Sequence, residues 1–329
     1  MRYRNNLFRL FVSLVCLVAA GGMRAQNESQ EEIIPMDSAI LQDTIFINEG
    51  DILVPSLFEY VVAPDDLPDL QSRTDYLMDH FWDPFDFKAH NAVDQNALNH
   101  AFEVYVQSMP YASEKKVKDS VKKLIGKIKN NPGLSFQFTR AAEETLYGPR
   151  AEFWVDEIYM NFLDNLLQNK KVSQSRKKKY QDQLELLKKN AIGSPLPAFS
   201  FISLDDKPSG FSVDTPFTII EFRPVECDEC RYADLKLDIS SVVSDMLYDK
   251  TLTVYQCYLI GNENTVSGDE LDLNTKWKVG YSKNAKDILD IRMLPSFFLI
   301  DGNGRILAKN RTVDGVINQL ETDSKPNAK

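Results

Sequence analysis

The sequence predicts an all-α N-terminal domain followed by an α/β domain, in which a mixed sheet carries helices on both faces. Three observations support this fold class. Apolar residues recur at helical spacing between residues 70 and 191. From residue 193 onwards, short β-rich runs alternate with helical patterns, as is typical of a sheet covered by helices. Proline and glycine separate the segments in both halves.

The first 25 residues predict a secretion signal. Arg2, Arg4 and Arg9 form a positive segment, and a mainly apolar stretch follows over residues 10–20. This stretch is too short to span a bilayer. We expect cleavage after Ala25, with Gly22 as a second possible position. The mature protein should then be periplasmic, without stable membrane insertion.

Charge is unevenly distributed along the chain. No Lys or Arg occurs between Gln26 and Ser72, although acidic residues recur there. Residues 26–69 therefore predict an acidic leader or linker, and residues 323–329 a disordered tail. The formal net charge of −10 argues against nucleic acid as a partner, because phosphate binding needs a basic surface.

The helical domain is predicted to span residues 70–191. We expect six helical segments, at residues 73–82, 97–109, 113–128, 134–146, 151–167 and 176–187. Ser113 is the expected N-cap of the third. The three histidines, His80, His90 and His100, lack a metal-ligand spacing, and we interpret them as surface or cap residues.

The second domain is predicted to span residues 192–322. Strands are expected at residues 217–222, 251–260 and 296–300, and a hairpin turn at 301–304 leads into a further strand at 305–308. Helices are expected at residues 285–291 and 313–320. Residues 230–247 allow one further helix, whose apolar side would carry five residues: Leu235, Ile239, Val242, Val243 and Met246. A polar, glycine-containing stretch separates residue 260 from residue 285.

Three cysteines remain once Cys16 is removed with the signal. Cys227 and Cys230 have the C-x-x-C spacing, which occurs in zinc sites, structural disulfides and redox pairs. A zinc site needs four ligands, and only Cys257, with no histidine after it, is left to supply them. We therefore expect no metal and no bound cofactor, and a buried free thiol at Cys257.

The surroundings of the cysteine pair favour redox chemistry. The pair follows a buried strand and begins a helix, whose dipole favours a thiolate at Cys227. Glu221 lies in the apolar strand six residues earlier, where a carboxyl group is costly unless it has a task. It could accept the proton of Cys230. Pro295 stands at a strand start, where a cis Leu294–Pro295 bond could face the cysteines.

The chain resembles the thioredoxin superfamily, and most closely its exported TlpA/ResA-like branch. The resemblance covers residues 193–322 and rests on the segments 193–199, 220–222, 227–230 and 294–301. It implies that Cys227 attacks a substrate disulfide, Cys230 resolves the mixed disulfide and Glu221 shuttles the proton. It further implies that Leu294 and Pro295 shape a substrate groove. The helical half, with residues 81–87, looks like an uncharacterised helical domain that precedes such modules.

These residues predict an exported thiol–disulfide oxidoreductase that acts on protein disulfide or dithiol substrates with an upstream reductant. Glu226, Asp228 and Glu229 replace residues usual in the family. Each carboxylate destabilises the Cys227 thiolate by about 0.5–0.7 kcal/mol. The helix N-terminus stabilises it by about 0.3–1 kcal/mol. A reductant or slow exchanger is therefore expected. The alternative is a redox-inactive scaffold whose helical domain binds a cell-envelope partner.

Overall fold

The computed structural model describes residues 56–88, 92–149, 151, 154–203, 211–260 and 276–324. These residues form two compact units, one up to Ala141 and one from Ala142 onwards. The predicted secretion signal with Cys16, most of the acidic leader, His90 and residues 325–329 lie outside the described residues. In the described part, no helix is long and apolar enough to cross a membrane.

Each predicted helical segment of the first half forms a helix. Their bounds are α1 (Leu70–His80), α2 (Gln95–Ser108), α3 (Glu114–Ile128), α4 (Pro132–Leu146), α5 (Asp156–Gln168) and α6 (Gln174–Lys189). In the first unit, the aromatic residues of segment 81–87 form the core. The Trp82 ring lies 5.1 Å from Phe138 and 5.6 Å from Tyr105, centroid to centroid. Helices α5 and α6 belong to the second unit, so the compact units divide the chain before the predicted domain boundary at residue 192.

The second unit contains a six-stranded mixed sheet. Its remaining elements are β1 (Ile202–Ser203), β2 (Phe217–Arg223), α7 (Asp228–Ile239), α8 (Ser241–Tyr248), β3 (Leu252–Leu259), β4 (Lys278–Ser282), α9 (Ala285–Ile288), β5 (Ser296–Asp301), β6 (Ile306–Arg311) and α10 (Val313–Ser324). The strand order is β1-β4-β3-β2-β5-β6. Strands β2, β3 and β4 are parallel, whereas β1, β5 and β6 pair antiparallel with their neighbours.

The two faces of the sheet bury different sets of residues. Ile219 of β2 packs with Ala233 and Leu237 of α7, and residues of α8 and α10 join the same cluster. Ile220 and Phe222 point to the other face, where α9 packs. Because side chains alternate along a strand, Glu221 and Arg223 share the α7 face with Ile219. The predicted fold class, a mixed sheet with helices on both faces, is confirmed.

The structure corrects the prediction of a single helix over residues 230–247. The chain forms α7 and α8, which are separated at Ser240, whose Oγ accepts a hydrogen bond from the Val243 N–H at 3.4 Å. Serine favours this N-cap role over a helix interior. Leu235 and Ile239 are exposed, because Ala233 and Leu237 form the buried face of α7.

Strands β1 and β4 were not predicted from the sequence. In β4, Gly280 lies opposite Ser203 of β1, and a Cβ atom at Gly280 would collide with the Ile202 carbonyl oxygen. Glycine weakens the strand signal in this segment but permits the close approach of the two backbones.

Candidate active site

Cys227 and Cys230 lie at the start of α7, just beyond the end of β2. They form a disulfide, with 5.2 Å between their Cα atoms. Cys227 is the N-cap of α7, and its Sγ accepts a hydrogen bond from the Cys230 N–H at 3.1 Å. Cys230 is fully buried, whereas Cys227 is partly exposed. An incoming sulfur can therefore reach Cys227 more readily than Cys230.

Three acidic residues lie next to Cys227 in the sequence, two of them on its C-terminal side. Glu226, Asp228 and Glu229 are all exposed. Asp228 accepts a hydrogen bond from Arg231 at 3.2 Å, which offsets part of its charge. Arg223 points into the α7 face of the sheet and binds other carboxyl groups there. The charge around Cys227 is therefore acidic, and it opposes the helix N-terminus in stabilising a thiolate.

Glu221 is fully buried within a group of four polar side chains, which we call the glutamate network: Glu221, Arg223, Asp234 and Gln256. The Oε2 atom of Glu221 accepts hydrogen bonds from Arg223 at 3.2 Å and Gln256 at 3.3 Å. The same two donors bind Asp234, at 2.8 and 2.9 Å from Arg223 and 2.9 Å from Gln256. The Oε1 atom of Glu221 is buried without a hydrogen-bond partner.

Burial raises the pKa of Glu221 to about 8. Arg223 lowers it in part, and the nearby Asp234 raises it further. The glutamate network thus holds two carboxyl groups and one guanidinium group. With a proton on Glu221, the network has no net charge. Asp234 follows Cys230 by one helical turn and lies on the same side of α7. Arg223 and Gln256 thus link Glu221 to α7, the helix that also carries Cys230.

Leu294 and Pro295 lie at the same end of the sheet as the cysteine pair. Ser296, which begins β5, pairs with Phe222 near the end of β2, from which the chain continues to Cys227. The Leu294–Pro295 bond is cis, as expected. The pairing places these two residues next to the segment that leads to the cysteines, and their role in a substrate groove stays a prediction.

Cys257 lies on the opposite side of the sheet from α7. It packs with Phe222 and Tyr255, and it is fully buried. Burial raises the pKa of its thiol. Among the described residues, no group of three or more His, Cys, Asp or Glu side chains is arranged to hold a metal ion.

The partners of Glu221 were not predicted from the sequence. Arg223 had a local signal, because it follows Glu221 by two residues and must share its face of β2. Asp234 had a similar signal, because it lies four residues after Cys230. Gln256 had none, since only the pairing of β2 with β3 places it opposite Glu221.

Comparisons with known proteins agree with this architecture. A family profile described as "Domain of unknown function (DUF5106)" matches residues 23–190, just over half of the 329-residue chain. No curated protein matches the chain. A crystal structure of a thioredoxin-like protein from Bacteroides caccae aligns with a TM-score of 0.68 and 18% identity, over 82% of this chain and 99% of that one. This likeness shows the fold.

Two shorter structures align at lower scores. The thioredoxin domain of a thiol-disulfide oxidoreductase from Bacteroides vulgatus has 21% identity and a TM-score of 0.34, over 41% of this chain and 99% of that one. A thiol:disulfide interchange protein from a Bacteroides species has 21% identity and a TM-score of 0.35, over 43% of this chain and 94% of that one. The longer structural match confirms the thioredoxin-like fold that the sequence suggested, and the family profile confirms the uncharacterised helical domain before it. The chain belongs to the DUF5106 family, and the part after the matched region has a thioredoxin-like fold.

Proposed function

We propose that this protein is an exported thiol–disulfide oxidoreductase that reduces or slowly exchanges protein disulfides through Cys227 and Cys230. The observation that carries the proposal is the combination of a partly exposed cysteine at the N-terminus of α7 with a buried carboxyl group, Glu221, on the face of the sheet that α7 covers. A static disulfide would not need such a carboxyl group. Export to the periplasm is supported by the character of the first 25 residues.

The reaction begins with the reduced pair. The Cys227 thiolate attacks a sulfur of the substrate disulfide, so that a mixed disulfide forms and one substrate thiolate leaves. The Cys230 sulfur then attacks Cys227 Sγ, which forms the Cys227–Cys230 disulfide and releases the second substrate thiolate. The substrate gains two electrons. A dithiol reductant supplies two electrons to restore the reduced pair.

Glu221 serves the buried cysteine in both directions. When the pair is oxidised, the Glu221 carboxylate accepts the proton that the Cys230 thiol loses as it attacks. When a reductant attacks Cys227, Cys230 leaves as a thiolate, and protonated Glu221 returns the proton. Since burial raises the pKa of Glu221 to about 8, both protonation states are accessible near neutral pH.

The direction of exchange follows from the charges around Cys227. Glu226 and Glu229 are exposed beside it, and they oppose a thiolate at this position. A stable thiolate makes the reduced form favourable and the disulfide strongly oxidising. The acidic surroundings therefore favour a reductant or slow exchanger over a strong oxidant.

Replacing each cysteine in the mature chain tests the proposal. Cys227→Ser should lower the rate of insulin reduction by dithiothreitol to the uncatalysed rate, whereas Cys230→Ser should accumulate mixed disulfides with substrate proteins. Cys257→Ala is the control, because Cys257 lies on the other face of the sheet. Mixed disulfides that form in Cys227→Ser would reverse the two roles. A wild type without insulin reduction would favour the scaffold alternative.

A further inference from the structure

Asn310 holds the segment that carries Leu294 and Pro295. We call residues 290–296 the groove loop. The Oδ1 atom of Asn310 accepts hydrogen bonds from the Arg292 N–H at 2.9 Å and from the Ser296 hydroxyl at 3.2 Å. Its Nδ2 atom donates to the Asp290 carbonyl oxygen at 2.7 Å. One buried side chain thus binds both ends of the groove loop.

An irregularity in β6 brings Asn310 to this position. Phe297 and Leu299 of β5 pair with Arg311 and Ala308 of β6, so that β6 holds one more residue than β5 between these pairs. Asn310 has a φ of +50° there, a conformation that asparagine tolerates better than most residues. Such bulges re-aim side chains beside active sites. Here the bulge also contains Lys309.

A second set of side chains, of which three are buried and Asp156 is partly exposed, ties the groove loop to α5. We call these residues the loop network: Asp156, Asp290, Arg292 and Lys309. Arg292 lies 2.6 Å from both Asp156 and Asp290. Lys309 lies 2.8 Å from Asp156 and 2.5 Å from Asp290. Asp156 is the first residue of α5, which lies in the region matched by the DUF5106 family.

We propose that Asn310 is a positioning residue for the substrate groove, and that the loop network anchors the groove loop to helix α5. This inference rests on the proposed function, because it assigns a task to the groove of that site. Asn310 touches no reacting atom. It acts by holding the backbone on either side of Leu294 and Pro295, so that the loop presents one fixed surface to a protein substrate. The DUF5106 region thereby contributes to the thioredoxin-like site through Asp156.

The decisive variant is Asn310→Gly in the mature chain. Glycine accepts the positive φ without strain, so the change removes the side-chain bonds alone. We expect the KM for insulin to rise about tenfold, while kcat stays within about twofold. The reduction potential of the cysteine pair should not change. Reduction of a small disulfide, 5,5′-dithiobis(2-nitrobenzoic acid), should also be unaffected, since it does not need the groove.

Amide hydrogen exchange gives a readout that is independent of activity. The Arg292 N–H loses its acceptor in Asn310→Gly, so its exchange should accelerate by about tenfold or more, whereas exchange in β2 stays the same. Asn303→Gly is the matched control, because Asn303 is exposed in the β5–β6 turn. Asn310→Asp keeps the acceptor for the Arg292 N–H but loses the donor to the Asp290 carbonyl oxygen, so exchange at Arg292 should stay near the wild-type rate while the KM for insulin rises less than in Asn310→Gly. If the glycine variant does not fold, Ser296→Ala serves as the test variant, because it removes one bond of Asn310 to the groove loop and should also raise the KM for insulin.

Each result decides the inference. Faster exchange together with a higher insulin KM supports it. Unchanged exchange at Arg292 overturns it, and so does faster exchange with an unchanged KM. If the wild type reduces no disulfide at all, the proposed function fails, and hydrogen exchange alone then decides whether Asn310 holds the groove loop.

Discussion

The glutamate network and the loop network are both buried in the second unit, but their charges balance differently. The loop network has two carboxylates and two cations, and each of its four carboxylate oxygens has a partner. The glutamate network has two carboxyl groups and one cation, and one oxygen of Glu221 has no hydrogen-bond partner. Burial is similar in the two networks, so they differ chiefly in the number of cations that compensate their two carboxyl groups.

This difference moves the pKa values of the buried carboxyl groups in opposite directions. Burial alone would raise the pKa of Asp156, but Lys309 and Arg292 outweigh it and keep that pKa below its ordinary value. At Glu221, burial outweighs the single Arg223, and the pKa rises. Asp156 therefore stays charged near neutral pH, whereas Glu221 carries a proton that it can give up.

The largest effect is expected from breaking the loop network. Asp290→Asn removes a fully buried charge that binds both Arg292 and Lys309, and leaves the two cations with Asp156 alone. We expect the free energy of unfolding to fall by about 3 kcal/mol, as for other buried pairs that lose one partner. Urea denaturation at neutral pH measures this loss of unfolding free energy. The control Asp314→Asn breaks an exposed pair with Lys236 and should cost less than about 0.5 kcal/mol. Equal losses of unfolding free energy in the two variants would contradict the expectation that the buried loop network contributes more to stability than an exposed ion pair.

Glu221→Gln should give the next largest effect, on rate rather than on stability. The amide keeps the shape of the side chain but cannot exchange a proton, so turnover of insulin at neutral pH should fall about 10- to 100-fold. The pH–rate profile of the wild type should bend near the pKa of Glu221, and the bend should vanish in the variant. Glu229→Gln, an exposed carboxyl group beside the pair, is the control and should keep the bend. Identical profiles for Glu221→Gln and wild type would make Glu221 a structural residue.

The stability of the same variant has a definite pH dependence. The folded pKa of Glu221 lies above its ordinary value of 4.5, so the unfolded chain loses the proton first as pH rises. The wild type therefore loses stability between about pH 4.5 and pH 8, and the loss is complete above that range. Glu221→Gln lacks this loss. Its advantage in unfolding free energy over the wild type should grow across this window, and a constant difference would contradict the raised pKa.

Asp234→Asn should produce the smallest of these effects. Its negative charge raises the pKa of Glu221, and its loss also leaves Arg223 free to bind Glu221 more strongly. The bend in the pH–rate profile should move to lower pH, with a change in rate at pH 7 of about two- to fivefold. Asp238→Asn, one turn further along α7, is the matched control. A bend that stays in place in Asp234→Asn would show that the two carboxyl groups do not interact.

The sequence by itself indicated the cysteine pair, Glu221 and the Leu294–Pro295 segment as candidate site residues. It could do so because each of these signals is local: a C-x-x-C spacing, a carboxyl group in an apolar strand and a proline at a strand start. The fold class followed from the change in apolar periodicity, from helical to β-rich, near residue 193. The helix break at Ser240 was missed, because an apolar pattern continues across it although the serine caps a new helix.

Only the tertiary structure decided which groups control these residues. Gln256 reaches Glu221 because β2 pairs with β3, and no spacing in the chain indicates that register. Asn310 binds the groove loop because β6 contains a bulge, which depends on its pairing with β5. Asp156 meets Arg292 across 136 residues of sequence. The pKa of a buried group depends on such neighbours, and strand pairing and packing choose them between segments far apart in the chain.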